Sequence, residues 1–275
     1  MTFGLNIRQP LTITVLLATA VLWLVPLPYP ALEGAQAPGP QVIKITSKIL
    51  YEERTLTVSI PDGYATSQKT YPVLYVLDAE AKTVIPKIVS TLRDLNAKGF
   101  LPQMIVVGIW NTDRNRDMIP IAVSHRPGSG GAEKFLRFIH EELMPQIAQN
   151  FRASGYSILY GMSNSALFAV YAILQNPETF DAYIASSPMI GHCPEHIRKK
   201  AEAIIADDHL SGRILYLVHG TKDSPRVTNY VPDLQDYLES HAPESFRSKL
   251  EILEGEGHVP DSSLERGLRF IFSKN

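Results

Sequence analysis

A serine hydroxyl is a poor nucleophile until a base takes its proton. A chain that uses one needs a serine held clear of its neighbours, a histidine that reaches it and a carboxylate behind the histidine. Ser163 meets the first condition. It lies in Gly161-Met162-Ser163-Asn164-Ser165, after an apolar run that reads as a strand and before one that reads as a helix. A strand-to-helix turn of the pattern G-x-S-x-G is strained and projects the hydroxyl beyond the sheet. Small flanking residues are required because strand and helix nearly touch there. Gly161 satisfies that need, and Ser165, which departs from glycine at the second position, is still small enough for the turn. The N–H of Asn164, free at the helix start, would face negative charge growing on a carbonyl oxygen. The chemistry of such a set is acyl transfer.

Around a turn of this kind the acid and then the histidine follow the serine along the chain. His219, His241 and His258 lie beyond the start of the strand that should carry the acid. His258 sits in Glu254-Gly255-Glu256-Gly257-His258-Val259-Pro260, a loop between the last strand and the last helix. That is where a base for Ser163 belongs. His219 ends a strand, and His241 follows an amphipathic helix and reads as exposed. Asp223 lies just past the strand that ends Leu217-Val218-His219-Gly220 and is the preferred acid. Its task would be to hold the imidazole tautomer and stabilise the imidazolium. Its structural alternative is a turn or cap residue, and Asp233 and Glu254 are the fallback acids.

The elements that must position these residues are read from apolar patterning. Gln41 to Tyr51 and Arg54 to Ile60, the second closed by Pro61-Asp62-Gly63, predict an antiparallel hairpin. Strand and helix then alternate. Strands are expected at Pro72 to Leu77, Met104 to Trp110, Tyr156 to Tyr160, Phe180 to Ala185, Arg213 to Val218 and Leu250 to Leu253. Helices are expected at Thr83 to Leu95, Gly131 to Ile147, Asn164 to Leu174, His196 to Ile205, Val231 to Ser240 and Asp261 to Phe272. The fold class is therefore α/β, a mainly parallel central sheet of about eight strands with helices on both faces and an antiparallel N-terminal hairpin. Sites in such sheets lie at the carboxyl ends of the strands. The long loop Asn111 to Gly131 leaves one of those ends and belongs near the site.

Several blocks in order resemble the putative-esterase family of α/β hydrolases, which includes esterase D-like and enterochelin-esterase-like proteins. They are Pro72-Val73-Leu74-Tyr75-Val76-Leu77-Asp78-Ala79-Glu80, Val107-Gly108-Ile109-Trp110-Asn111-Thr112-Asp113-Arg114-Asn115-Arg116-Asp117, the turn at Ser163, and the run Asn176 to Pro188. The resemblance spans Lys44 to the C-terminus. It implies an α/β-hydrolase fold and carboxylic-ester hydrolysis with no metal or organic cofactor. It also implies that a second N–H for the oxyanion comes from the loop after Leu77, at Ala79 or Glu80. Arg114 and Arg116 match a family signature near the site. They would bind a polar or anionic part of the substrate, or else pair with Asp residues and pin the long loop.

Composition narrows the partners. The net charge of −2 over 275 residues, with no long basic run, argues against a nucleic-acid surface, which needs clustered Lys and Arg. No H-E-x-x-H spacing is present, and Pro127-Gly128-Ser129-Gly130-Gly131 lacks the ending of a phosphate loop. The expected partner is a small-molecule ester of siderophore, sugar or lipid type. Cys193 is the only cysteine, so no intrachain disulfide forms, and it reads as a buried apolar residue. Arg8, the apolar stretch Leu11 to Leu27 and Ala35-Gln36-Ala37 form the three parts of a secretory signal, with cleavage after Ala37. An uncleaved anchor is the alternative. Residues 38–275 then make one exported domain, periplasmic or secreted, without a stable membrane span. An acyltransferase acting on a sugar or lipid hydroxyl, or a silent binding protein of the same fold, are the competing functions.

Overall fold

The structure is a computed structural model that describes residue 1, residues 39–206 and residues 209–273. The signal-type segment, with its proposed cleavage site after Ala37, lies outside the described residues. Among the described residues no helix is long and apolar enough to cross a membrane.

The strands are β1 (Gln41–Ser47), β2 (Glu52–Ser59), β3 (Tyr71–Val76), β4 (Ile105–Ile109), β5 (Ala153–Met162), β6 (Ala182–Ser186), β7 (Ile214–Gly220) and β8 (Arg247–Leu253). They form one eight-stranded sheet in the order β1-β2-β4-β3-β5-β6-β7-β8. Only β2 runs against the rest, pairing antiparallel with β1 and β4, while every other pair is parallel. This is the α/β-hydrolase architecture expected from the alternating pattern. Chain order reverses at β3, which has β4 on one side and β5 on the other. A crevice opens at the carboxyl ends of strands where the order reverses.

The helices are α1 (Val84–Ala97), α2 (Arg114–Met118), α3 (Ala132–Phe138), α4 (Met144–Asn150), α5 (Asn164–Gln175), α6 (Pro194–Ala206), α7 (Pro225–Thr228), α8 (Val231–His241) and α9 (Ser263–Phe272). The longer helices turn apolar stripes toward the core. One face is closed by α1 through Ile85, Ile88, Leu92 and Leu95 and by α9 through Leu264, Leu268 and Ile271. The other carries α3 to α6 and α8. In α5 every residue from Asn164 to Leu174 is buried, so it runs through the core directly behind the turn at Ser163.

Several boundaries differ from expectation, among them the end of β1, which stops at Ser47 rather than Tyr51. The helix expected at Gly131 to Ile147 is interrupted by a π-helical turn, Ile139–Leu143, and continues to Asn150. β5 begins at Ala153 and β8 at Arg247, both before their apolar runs. The loop Asn111 to Gly131 contains α2, whose N-cap Asp113 accepts the Arg116 N–H, a local stabilisation that apolar periodicity does not reveal.

Candidate active site

Four strand ends converge. β5 delivers Ser163, β3 delivers Asp78 to Glu80, β7 leads to Asp223 and β8 leads to His258. Ser163 has φ 61° and ψ −116°, a left-handed φ that costs a non-glycine residue energy and persists only where its surroundings hold it. They do so by backbone bonds: the Ser163 N–H donates to Ser186 O at 2.9 Å, and the Leu167 N–H donates to Ser163 O at 3.0 Å. A Cβ on Gly161 would fall 2.2 Å from the Ser165 carbonyl oxygen. The first small position of the turn is thus a steric requirement.

The Ser163 hydroxyl lies 2.8 Å from His258 Nε2. His258 Nδ1 lies 2.6 Å from Asp223 Oδ1, which also accepts the Ser224 N–H at 2.6 Å. The Asp223 side chain is fully buried, whereas that of His258 is 41% exposed. A buried carboxylate on Nδ1 keeps the proton there and leaves Nε2 free to accept one from the serine. The structure therefore brings Ser163, His258 and Asp223 into one hydrogen-bonded chain. Asp233, the fallback acid, lies in α8, and Glu254 is exposed. His219 is buried in β7, with Nδ1 against its neighbour's carbonyl, Gly220 O.

The histidine loop is seated on the sheet by backbone contacts. Lys222 N–H donates to Glu256 O and Thr221 N–H to Leu253 O. The Val259 N–H donates to Ser187 Oγ at 2.8 Å. A Cβ on Gly220 would fall 2.0 Å from Glu256 O, so this glycine permits the loop's approach. Ser187 itself has a left-handed φ of 55°. Neither Gly220 nor Ser187 carries a motif of its own in the sequence.

Of the two N–H groups expected after Leu77, that of Ala79 is occupied, donating to Ile109 O at 3.2 Å. Glu80 N–H has no partner among the described residues. Asn164 is the first residue of α5, where helix geometry leaves the N–H free. Its side chain is held from behind: Asn164 Oδ1 faces His192 Nε2 at 3.2 Å, and His192 Nδ1 faces His125 Nε2 at 2.8 Å. Burial, and then the positive charges of Arg126, His125 and Arg226, push His192 down to about 4. Burial pushes the neighbouring Cys193 thiol up to about 12, which matches the reading of an unreactive core cysteine.

Arg114 and Arg116 both sit in carboxylate pairs. Arg114 forks onto Asp78, Nε to Oδ1 at 2.7 Å and a terminal nitrogen to Oδ2 at 2.8 Å. Arg116 bonds Asp117 at 2.7 Å and Glu52 at 2.7 Å and 3.0 Å. The fully buried Arg54 joins Asp117 at 2.6 Å and Glu52 at 2.9 Å. These are the contacts of the loop-pinning alternative. Asp78, Asn111 and the histidine pair carry no site signal of their own in the sequence, although Asp78 and Asn111 stand inside the first two matching blocks.

A sheet of this order with its side chains gathered at the strand ends defines a hydrolase of the α/β type, and comparison with known proteins narrows the class. Residues 47–265 match the family described as Putative esterase; the chain belongs to that family, whose members are carboxylic-ester hydrolases. It is 26% identical over 261 residues to the ferri-bacillibactin esterase BesA of Bacillus subtilis, covering 85% of this chain and 89% of that one. It is 29% identical over 157 residues to the siderophore triacetylfusarinine C esterase of Aspergillus fumigatus, about half of each chain (53%). An IroE-like serine hydrolase from Shewanella oneidensis superposes with a TM-score of 0.76 at 27% identity, over 85% of this chain and 80% of that one.

Proposed function

We propose that the protein is an exported serine esterase that cleaves a siderophore-type ester through an acyl-enzyme on Ser163. The observation that carries the reading is the chain of two short hydrogen bonds, Ser163 to His258 to Asp223. Ser163 attacks the ester carbonyl while His258 Nε2 takes its proton. The N–H groups of Asn164 and Glu80 receive the oxyanion; Ala79 is set aside because its N–H is spent on Ile109. His258 then returns the proton to the leaving alcohol and activates water for deacylation. Asp223 keeps the imidazole oriented throughout. The substrate class is carried by the siderophore esterases among the relatives, and no cofactor enters this sequence of steps.

Ser163→Ala should lower kcat/KM for p-nitrophenyl butyrate and for a catecholate trilactone by a thousandfold or more, about the loss seen when a nucleophile of this kind is removed. An unchanged rate would sink the assignment. Export is tested separately: the mature protein recovered from cells should begin at residue 38 by intact mass. A full-length mass in a membrane fraction would favour the anchor.

A further inference from the structure

We propose that the hydroxyl of Ser165, standing where the turn's motif has glycine, is a positioning group. With Asp78 and Arg114 it bolts the loop after β3, which carries the Glu80 N–H, to the turn that carries Ser163 and the Asn164 N–H. The inference rests on the reading of Ser163 as nucleophile and of these two N–H groups as oxyanion donors.

The need for a bolt follows from the sheet. β3 and β5 pair as far as Val76 with Tyr160, and the Leu77 N–H donates to Tyr160 O at 3.1 Å. There the ladder stops. The next backbone bond of the β3 loop, from Ala79 to Ile109 O, runs to β4 on the opposite side. Beyond the ladder, the described links between the two turns are side-chain bonds. Ser165 is fully buried. Its Oγ accepts the Met162 N–H at 2.7 Å and lies 2.6 Å from Asp78 Oδ2. Met162 O lies 2.8 Å away, but the hydroxyl has one proton, and a carboxylate is the stronger acceptor. Asp78 also receives the Arg114 fork and the Asn111 amide at 2.6 Å. Arg114 closes the circuit by donating to Met162 O at 3.2 Å. Three neighbouring strand ends, those of β4, β3 and β5, are thereby joined through one carboxylate.

The charge state is consistent with that role. Burial alone would raise the Asp78 carboxyl, but Arg114, with Ser165 and Asn111, outweighs burial and holds it below its ordinary value. Asp78 takes a left-handed φ of 58°, a conformation that Asp and Asn tolerate through their short polar side chains. Glycine at position 165 would satisfy the motif, yet it would delete both Ser165 bonds. The Met162 N–H would lose its partner on Ser165, and the two halves of the oxyanion site would lose their shared tie.

The test is steady-state kinetics on p-nitrophenyl butyrate for wild type, Ser165→Gly, Ser165→Ala, Asp78→Asn and the Ser165→Ala/Asp78→Asn double variant. It is joined by inhibition with an alkyl boronic acid, whose tetrahedral adduct places an oxygen at the oxyanion position. Each single variant should lose about tenfold in kcat with KM within about twofold, because displacing a reacting group by a fraction of an ångström is costly. Boronate affinity should weaken by a similar factor. The double variant should lose less than the product of the single losses, as groups sharing one contact do. Wild-type kcat in both Ser165 variants, losses confined to KM, or multiplicative losses in the double variant would overturn the proposal. Ser165→Ala keeps a good helix former, so a loss in both it and Ser165→Gly assigns the effect to the hydroxyl. Ser163→Ala run alongside separates the two readings. Full activity there removes the nucleophile assignment, whereas an inactive Ser163→Ala with an unimpaired Ser165→Gly removes only the bolt.

Discussion

The turn that carries Ser163 and the loop that carries His258 meet at 2.8 Å, yet they are held by different means. The serine side is deep. Asn164 and Ser165 are buried, the helix behind them is buried all round, and a carboxylate with its arginine ties it to two neighbouring strands. The histidine side is shallow. Residues 254–258 are exposed, and their attachment is a few backbone bonds, the hydroxyls of Thr221 and Ser187, the Asp223 carboxylate on His258 and a close approach to Gly220. A strained residue in the role proposed for Ser163 requires surroundings that over-determine it. A base that accepts and returns a proton, the role proposed for His258, needs only a correct direction, which Asp223 would supply. The same contrast predicts that equal insults to the two sides will have unequal consequences.

The sharpest such insult is a single methyl group at each glycine. Gly161→Ala and Gly220→Ala both push a Cβ onto a backbone carbonyl, at 2.2 Å and 2.0 Å. Both should lose activity by about a hundredfold or more, since an ångström of displacement suffices for that. They should part in stability. At Gly161 neither strand nor helix can move, and overpacking of this kind costs about 1–3 kcal/mol, several degrees of Tm in a domain of this size. At Gly220 the exposed loop can lift away, so Tm should change much less. Thermal unfolding followed by circular dichroism reads the difference. A Gly220→Ala protein destabilised as much as Gly161→Ala would erase the distinction.

Ser187→Ala probes the same loop more gently. It removes the acceptor of the Val259 N–H, 2.8 Å away, next to His258. A neutral hydrogen bond of this sort contributes about 0.5–1.5 kcal/mol, so kcat/KM should fall about three- to tenfold and Tm by no more than a few degrees. Ser187 also has a left-handed φ, so Ser187→Asn, which tolerates that backbone, is the control. If neither variant changes kcat/KM, the loop does not depend on this bond to place the histidine.

How much of this was legible beforehand follows the same division. Buried parallel strands are continuous apolar runs, so the core of the sheet could be read from Val73 to Val76 or Leu215 to Val218. The sequence shows only part of β8 because it is an edge strand, half-exposed along its length, and Arg247-Ser248-Lys249 carries no apolar signal. The glycine and the strand–helix setting point to Ser163 and the loop position to His258, two residues that the structure brings within 2.8 Å. Asp223 is one of three candidate carboxylates because local sequence does not show which one the sheet turns toward the imidazole. The Asp78 cluster joins residues 36 and 87 positions apart, and they become neighbours only through the order β4-β3-β5. Ser165 was visible as a departure from the motif. That the departure creates a bond to Asp78 depends on topology.

The smallest effect concerns what lies behind Asn164. His192 is buried; the Asn164 Oδ1 facing its Nε2 can only accept, so in the neutral ring Nε2 carries the proton and Nδ1 is left to accept from His125. A second proton on Nδ1 would turn that acceptor into a donor facing a donor. Its folded value of about 4 lies below the ordinary value of about 6.5 for histidine in an unfolded chain. Between those values the unfolded state binds the extra proton and the folded state does not. The stability associated with neutral His192 is therefore complete above about pH 6.5, declines as pH falls, and is lost by about pH 4. His192→Gln keeps a polar side chain and removes the titration. Its unfolding free energy from urea titrations should depend less steeply on pH between 6.5 and 4, by about one proton, or about 1.4 kcal/mol per pH unit at most. Activity at pH 7 should change little, because the Asn164 N–H is fixed first by its place in α5. Equal pH slopes in the two proteins would mean that His192 keeps its ordinary proton affinity in the folded state, and that burial does not hold the ring neutral.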